Sequence, residues 1–571
     1  MKKINGLSGA PGTALGRCVI LKPEEYSIER RSIDNADNEI EKLESAREQY
    51  RAELDGLYEK SREEIGEDSA KIFLAYKEMV NDDIFFQKPV RRVREEMINI
   101  EYVIEEEKKA AAELFHAMDD PYMKDRGDDI ENVCNALVKK MLGSGSGREE
   151  AENIREDFII AAEDLSPADT VRLDKTFLKG IATVKGGQTS HTVILAKTLG
   201  IPAVVGAAGL MEAAQPDRPV YIDGTKGEIV IEPDPDIRDL YEKQRESDAE
   251  QRRLFAEAAK QTAETPDGHA IKICINAGAV ADTETADLEF CDGIGLFRTE
   301  FLYMAESDYP TEEKQFEIYR KLAENARGKE VVIRTLDIGG DKKVDYMGLP
   351  KEDNPFLGYR AIRICLDRQK VFRTQLRAIL RASAYGRLSI MFPMIVNLEE
   401  LRTARRITYE CMKELRDEGI DFDASVRTGI MIETPAAVLL SDKLAAEADF
   451  FSIGTNDLIQ YITAADRMNE QVQYLYNICS LSVMRAIKIV ADNARKAGIP
   501  VGICGESASD EKMLPVWLYL GIDKLSMVPA MIGRIKYRIR HITTREAWEI
   551  AGQAFEYDTA GQVEDYLRKQ C

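Results

Sequence analysis

The chain has 571 residues, enough for roughly two to four domains. Its 44% hydrophobic and 31% charged content fits a globular chain, and no run reaches the roughly 20 apolar residues that a membrane span needs. A formal net charge of −23 repels phosphate backbones and excludes nucleic acid as an expected partner; the acidity serves solubility or steers a basic protein inward.

The start, MKKINGLSGAPG, has two lysines but no apolar core behind them. It is not a secretory signal, so a cytoplasmic location is expected. The first twenty residues read as strand, turn and strand. From Glu24 to Leu142 apolar residues recur at helical spacing, in a region nearly free of Gly and Pro, which predicts an all-helical bundle. GSGSG at 143–147 follows a helix rather than a strand, so it reads as a linker and not a phosphate loop. FIIAAEDL, GIATVKG, IPAVVG and PVYIDG read as strands and TVILAKTLG as a helix. The Gly-rich N-terminal strands are expected to complete this second α/β region, which makes the bundle an insertion.

The charged stretch 234–262 predicts one helix joining two bodies. A helix of about 25 residues spans about 38 Å. Beyond it, eight short β-rich runs alternate with helical stretches over some 300 residues, the rhythm of a (β/α)₈ barrel. The expected domains are therefore 1–22 plus 145–232 (α/β), 23–144 (inserted helices), 233–262 (linker helix) and 263–571 (barrel). The fold class is α/β multidomain.

Polar residues end the barrel runs: Arg298, Glu300, Arg334, Asp337, Glu433, Asn456, Asp457, Cys504 and Glu506. In such barrels the C-terminal rim is the active face. Arg298, Arg334 and Arg467, at or just beyond run ends, carry forks that match phosphate and carboxylate. Taken singly they are ordinary surface ion-pair residues; together on one rim they suit an anion. Glu433 and Asp457 end adjacent runs and suit Mg²⁺, although Asp457 could equally cap a helix. A small substrate with phosphate and carboxylate, bound with Mg²⁺, is expected. No GxxxxGK[ST] spacing recommends ATP. The nine cysteines, odd in number and without CxxC spacing, argue against disulfides. Cys504, between run end and Gly505, is either an inert thiol or a general acid for a carbanion.

The four histidines include His191, in KGGQTSHTVILAK, just past a Gly-Gly turn and at the start of a helix. A helix N-terminus binds anions, and Thr189, Ser190 and Thr192 add hydroxyls. A neutral imidazole there either caps and packs or attacks phosphorus and holds the product near the helix dipole.

GGQTSH resembles the phosphohistidine motif of the phosphoenolpyruvate-utilising enzymes. FRTEF, IRTLDIGGDK, NPFLGYRAIR, IMFPMI, GIMIETPAAV, FFSIGTNDLIQY and ICGE resemble barrel motifs of its branch in the bacterial sugar phosphotransferase system. The resemblance spans essentially the whole chain. It implies phosphoenolpyruvate on the barrel, with Mg²⁺ on Glu433 and Asp457, and with Arg298, Arg334, Asn456, Asp457 and Arg467 gripping the substrate. It implies that His191 takes the phosphoryl group, that Cys504 protonates the pyruvate enolate, and that a swivelling of the His191 domain delivers the group to the carrier HPr on the helical domain. A homodimer through the barrel is implied as well. The related dikinases carry a nucleotide-binding domain for which this chain has no room.

Departures from that pattern are Gln188 for arginine, Met468 for glycine, a missing proline in 477–484, Ser509 for glycine, and Tyr76 where histidine is frequent. They leave the proposed catalytic residues in place. Two other readings are a phosphoenolpyruvate sensor without useful turnover and a Mg²⁺-dependent lyase or aldolase acting on a pyruvate enolate.

Overall fold

The computed structural model describes residues 1–21, 28–64, 67–116, 121–143, 154–187, 190–283, 286–339, 342, 344–469 and 471–570. The chain forms two compact bodies, 1–248 and 249–571. No helix among the described residues is long and apolar enough to cross a membrane. The eight described cysteines are all free and buried.

The first body holds an eight-stranded mixed sheet. Its strands are β1 (Lys2–Asn5), β2 (Leu7–Ala10), β3 (Thr13–Leu21), β4 (Phe158–Ala162), β5 (Leu178–Thr183), β6 (Ala203–Val205), β7 (Pro219–Asp223) and β8 (Glu228–Ile231). The order is β1-β8-β7-β3-β4-β5-β6-β2, with β3 to β6 parallel. The N-terminal run is three strands rather than two. Gly6 separates β1, which pairs with β8, from β2, which pairs with β6 at the opposite end of the order. The sheet must therefore curl until its two ends lie one residue apart. Gly6 permits this closeness, since a Cβ there would meet Val205 O at 2.6 Å. β8 escaped the sequence reading because four residues between turns carry too little periodicity.

Among the described residues five helices, Ala36–Glu64, Glu67–Asn81, Asp83–Glu96, Ile100–His116 and Pro121–Leu142, fall in the chain between β3 and β4. Their apolar stripes meet in a separate core that includes Leu43, Tyr50, Phe73, Val103 and Leu137. Tyr76 is part of that core: its hydroxyl donates to Asp129 Oδ1 at 3.1 Å and accepts from Asn132 Nδ2 at 3.2 Å. It is a packing residue and not an exposed contact. Residues 144–147 of the Gly-Ser segment lie outside the described residues.

The helix Pro235–Ala259 carries the chain from the first body into the second. There, β9 (Lys272–Ala277), β10 (Gly293–Arg298), β11 (Glu330–Arg334), β12 (Leu388–Phe392), β13 (Arg427–Ile432), β14 (Phe451–Ile453), β15 (Val501–Ile503) and β16 (Lys524–Met527) close into a parallel barrel. These are the eight runs read from the sequence. Strands covered on both faces need apolar side chains throughout, and β12 is buried at every position. Leu296, Val332, Met391, Met431, Phe450 and Cys504 form a buried cluster of their own, apart from the larger core of strands and helices.

Candidate functional site

Seven of the eight sequence-predicted site residues lie in the second body and line one cleft of about 430 Å³ at the C-terminal ends of the strands. They are Arg298, Arg334, Glu433, Asn456, Asp457, Arg467 and Cys504. β10 ends at Arg298 and β11 at Arg334, while Glu433 follows β13 and Cys504 follows β15. Asp457 sits in the first turn of the helix Thr455–Thr463 behind β14, whose N-cap is Gly454, so Asp457 is not the cap. Arg467 is a correction. Along the chain it lies not just beyond a strand but in the loop past that nine-residue helix, and a turn at Ala464 (φ 51°) precedes it on the way back to the mouth.

The cleft carries five cations, Arg298, Arg334, Lys342, Arg360 and Arg467, against five acids, Glu300, Asp337, Glu433, Asp457 and Glu506. With this balance, an anion bound alone would leave net negative charge in a partly enclosed space. Its natural companion is a cation. Several polar atoms are also unmet. Arg334 Nε, Arg360 Nε, Glu300 Oε2 and Asp457 Oδ1 are buried without hydrogen-bond partners. A buried orphan of this kind costs about 1–3 kcal/mol unless a ligand satisfies it. Among the described residues the Arg298 side chain makes no hydrogen bond or ion pair, which leaves its fork to the cleft.

Glu433 Oε1 accepts from Met394 N at 2.6 Å. Gly454 lets its other oxygen in, because a Cβ there would stand 2.8 Å from Glu433 Oε2. Burial, and then the charges of Asp457 and Asp337, push the Glu433 carboxyl well above the usual range. The Arg467 Nη1 lies 3.6 Å from Asp457 Oδ1. A raised carboxyl beside a carboxylate oxygen that has an ion pair but no hydrogen bond fits a divalent cation, and Mg²⁺ uses one or two carboxylates plus water and substrate. No larger metal-ligating group of His, Cys, Asp and Glu occurs among the described residues.

Asn456 is held at both ends of its amide by Glu506, through Nδ2 to Oε1 at 3.1 Å and through Oδ1 from the Glu506 N–H at 3.2 Å. Cys504 Sγ donates to Ile453 O at 3.6 Å, and burial raises its pKa, so the thiol stays protonated. Gly505 admits this packing: a Cβ there would meet Thr455 Oγ1 at 2.0 Å.

Sequence reasoning missed Lys342 and Arg360. Lys342 Nζ donates to Glu300 Oε1 at 2.7 Å, and Arg360 Nη2 donates to Asp337 Oδ1 at 2.9 Å. Both lay inside quoted motifs, IRTLDIGGDK and NPFLGYRAIR, but off the strand ends that guided the search.

His191 is in the first body. It opens the helix His191–Leu199 that links β5 to the parallel β6, so it stands beyond a strand's C-terminal end. Gly186 makes the turn at φ 97°. The N-cap Ser190 makes no capping bond, and its Oγ is buried without a partner. Thr192 is buried. Gln188, Thr189 and the His191 side chain lie outside the described residues.

Three models of the phosphoenolpyruvate-utilising enzymes match this chain: the PEP-binding domain over 252–544, the N-terminal domain over 5–126 and the mobile domain over 154–227. The chain is 41% identical over 542 residues to the phosphoenolpyruvate-protein phosphotransferase of Priestia megaterium, covering 95% of this chain and 94% of that one. It is 40% identical to the Geobacillus stearothermophilus protein of that name over 100% and 98% of the two lengths. For the Bacillus subtilis strain 168 protein the identity is 38%, with both chains covered completely. The chain belongs to the phosphoenolpyruvate-utilising enzymes and, within them, to the phosphoenolpyruvate–protein phosphotransferase family, Enzyme I of the phosphotransferase system.

Proposed function

We propose that the chain moves the phosphoryl group of phosphoenolpyruvate to His191 and then to a histidine of an HPr-like carrier, in the cytoplasm. The supporting observation is the cleft of unmet donors and acceptors with balanced charge, sized for a small trianion and a divalent cation. Arg298 and Arg334 take the phosphate, while Asn456 and Arg467 orient the carboxylate. Glu433 and Asp457 hold Mg²⁺, which when bound neutralises phosphate charge.

A ring nitrogen of His191 attacks phosphorus. The bond from phosphorus to the enol oxygen breaks, and its electron pair leaves with the pyruvate enolate. Cys504 gives its thiol proton to the enolate carbon and is reprotonated from solvent. The donors at the start of the helix His191–Leu199, Ser190 Oγ among them, hold the phosphoryl group until HPr accepts it. Because His191 and the cleft belong to different bodies, the α/β domain (1–22 plus 145–232) swivels between the barrel (263–571) and HPr on the helical insertion (23–144). The linker helix (233–262) is the expected hinge element, and the barrel is the expected homodimer contact.

Incubation with radiolabelled phosphoenolpyruvate and Mg²⁺ tests this. Acid-labile label is expected on the wild type, absent in His191→Ala, and transferable to added HPr. Folded wild type that binds phosphoenolpyruvate yet takes no label would overturn the reading.

A further inference from the structure

A second cavity, of about 570 Å³, opens at the opposite, N-terminal end of the barrel. Its wall includes the strand-start residues Lys272 (β9), Glu330 (β11), Arg427 (β13) and Lys524 (β16). In this fold that end ordinarily serves stability. Two of its lysines do so. Lys536 Nζ donates to the carbonyls of Ala259, Gln261 and Phe290 at 2.8, 2.9 and 2.5 Å. Lys329 Nζ likewise donates to the carbonyls of Leu288, Glu289 and Cys291. All three N–H groups of each are consumed.

The other cations are not so accounted for. Glu330 serves both Arg427, through Oε1, and Lys524, through Oε2 at 2.8 Å, and also accepts from Ser389 Oγ at 2.9 Å. One carboxylate cannot neutralise two cations. Among the described residues that is the single hydrogen bond of the Lys524 ammonium, which has three donors. The cavity wall holds six cations, Lys260, Lys272, Lys329, Arg427, Lys524 and Lys536, against four acids, Glu289, Asp292, Glu330 and Asp523. Asp292 also accepts from Ile273 N and Asp523 from Val501 N, both at 2.8 Å, and the Asp523 charge still acts on Lys524. Exposed Lys272 is the register partner of Lys524 and adds further positive charge at the mouth. Burial holds Lys524 below the ordinary lysine range, as does the Arg427 charge, so an anion beside it would relieve both. The Arg427 guanidinium lies over the Phe450 ring, 5.6 Å from its centroid, which supplies an apolar wall beside the charge.

We propose that this cavity is a second ligand site, separate from the substrate cleft, for a small organic anion whose phosphate or carboxylate engages Lys524, Lys272 and Arg427 while its body lies against Phe450. Surplus cationic charge in a partly enclosed cavity is the more telling in a chain of net charge −23.

Calorimetric titration of the full chain with pyrophosphate and, separately, with citrate tests the site and distinguishes phosphate from carboxylate ligands. Among the described residues the exposed Lys272 side chain makes no hydrogen bond or ion pair, so Lys272→Glu is expected to fold normally even if Lys524→Gln does not. The deciding quantity is a binding equivalent that Lys272→Glu weakens by about tenfold, that the control Lys321→Glu on an exposed helix face leaves alone, and that persists in Arg298→Ala. Finding it with either probe supports the site. Its absence with both probes, or a binding equivalent indifferent to Lys272→Glu, overturns it.

Discussion

Asp337 Oδ1 accepts a hydrogen bond from Arg360 Nη2 at 2.9 Å, and both side chains are only 2% exposed. The other oxygen, Oδ2, lies 3.0 Å from Arg334 Nη2 and 3.5 Å from Lys342 Nζ. One buried carboxylate thus aligns three cations of the cleft. Burial would raise its pKa, but Arg334, Arg360 and Lys342 outweigh burial and hold it far below the usual range.

Asp337→Asn keeps the shape but removes the charge that orients the cations. Leaving buried guanidinium groups undercompensated is expected to cost about 3 kcal/mol of stability. If Asp337 positions the anion-binding forks, KM for phosphoenolpyruvate should rise about tenfold or more, and Asp337→Glu should recover part of it. A melting point that falls while KM stays at the wild-type value would mean that Asp337 serves the fold alone.

Glu433 tells the opposite story. Its carboxyl is raised by burial and then by Asp457 and Asp337, which Arg334 and Arg360 only partly oppose, so holding it ionised costs stability until a metal ion binds it. Glu433→Gln removes that charge with little change in shape. The variant should melt no lower than the wild type in chelator. Mg²⁺ should raise the melting point of the wild type but not of the variant, and phosphorylation of His191 should drop at least about a hundredfold. An equal Mg²⁺ shift in both proteins would remove Glu433 from the metal site.

Asp267 offers a pH test away from the cleft. Its carboxylate accepts from Thr265 Oγ1 at 2.6 Å and from the Thr544 N–H at 3.0 Å, at the start of the helix Thr544–Ala554. These bonds lower its pKa to about 2 from an ordinary 3.8. A depressed acid stabilises the fold above its unfolded value and loses that contribution as pH falls through the folded one. The melting-point gap between wild type and Asp267→Asn should therefore be full at pH 5 and close between about pH 4 and about pH 2. A gap constant down to pH 2 would mean that the carboxylate's charge plays no part.

The barrel was legible because parallel strands buried on both faces must be apolar, and because polar side chains at their ends stand out against that background. Arg298, Arg334, Glu433 and Cys504 follow this rule. Lys342 and Arg360 reach the same cleft from loops, where a charged residue is unremarkable and only tertiary folding shows its destination. The cavity at the barrel's other end was invisible for a related reason. Lysines at strand starts look like solvated flanks until the closed sheet gathers Lys524 and Arg427 onto one carboxylate. In the first body, the return of β1 and β2 to opposite ends of one sheet rests on pairings more than 190 residues apart in sequence, which no local pattern encodes.

Cys504 is the remaining test of the chemistry. It is buried, donates to Ile453 O, and has its thiol pKa raised by that burial even though Ser452 and Arg334 act to lower it. A protonated thiol at neutral pH is a proton donor and a poor nucleophile. Cys504→Ala is expected to bind phosphoenolpyruvate as the wild type does and to lose about 1 kcal/mol of stability, since the deleted group is small. Release of pyruvate should slow by roughly a hundredfold to ten-thousandfold, the range of a lost general acid. The reverse direction isolates the step. With Mg²⁺ in deuterated water, the wild type should exchange the methyl protons of pyruvate, because the thiolate removes what the thiol delivers, and Cys504→Ala should not. Exchange at the wild-type rate in the variant would move the proton donor to another group and leave Cys504 as packing beneath the cleft.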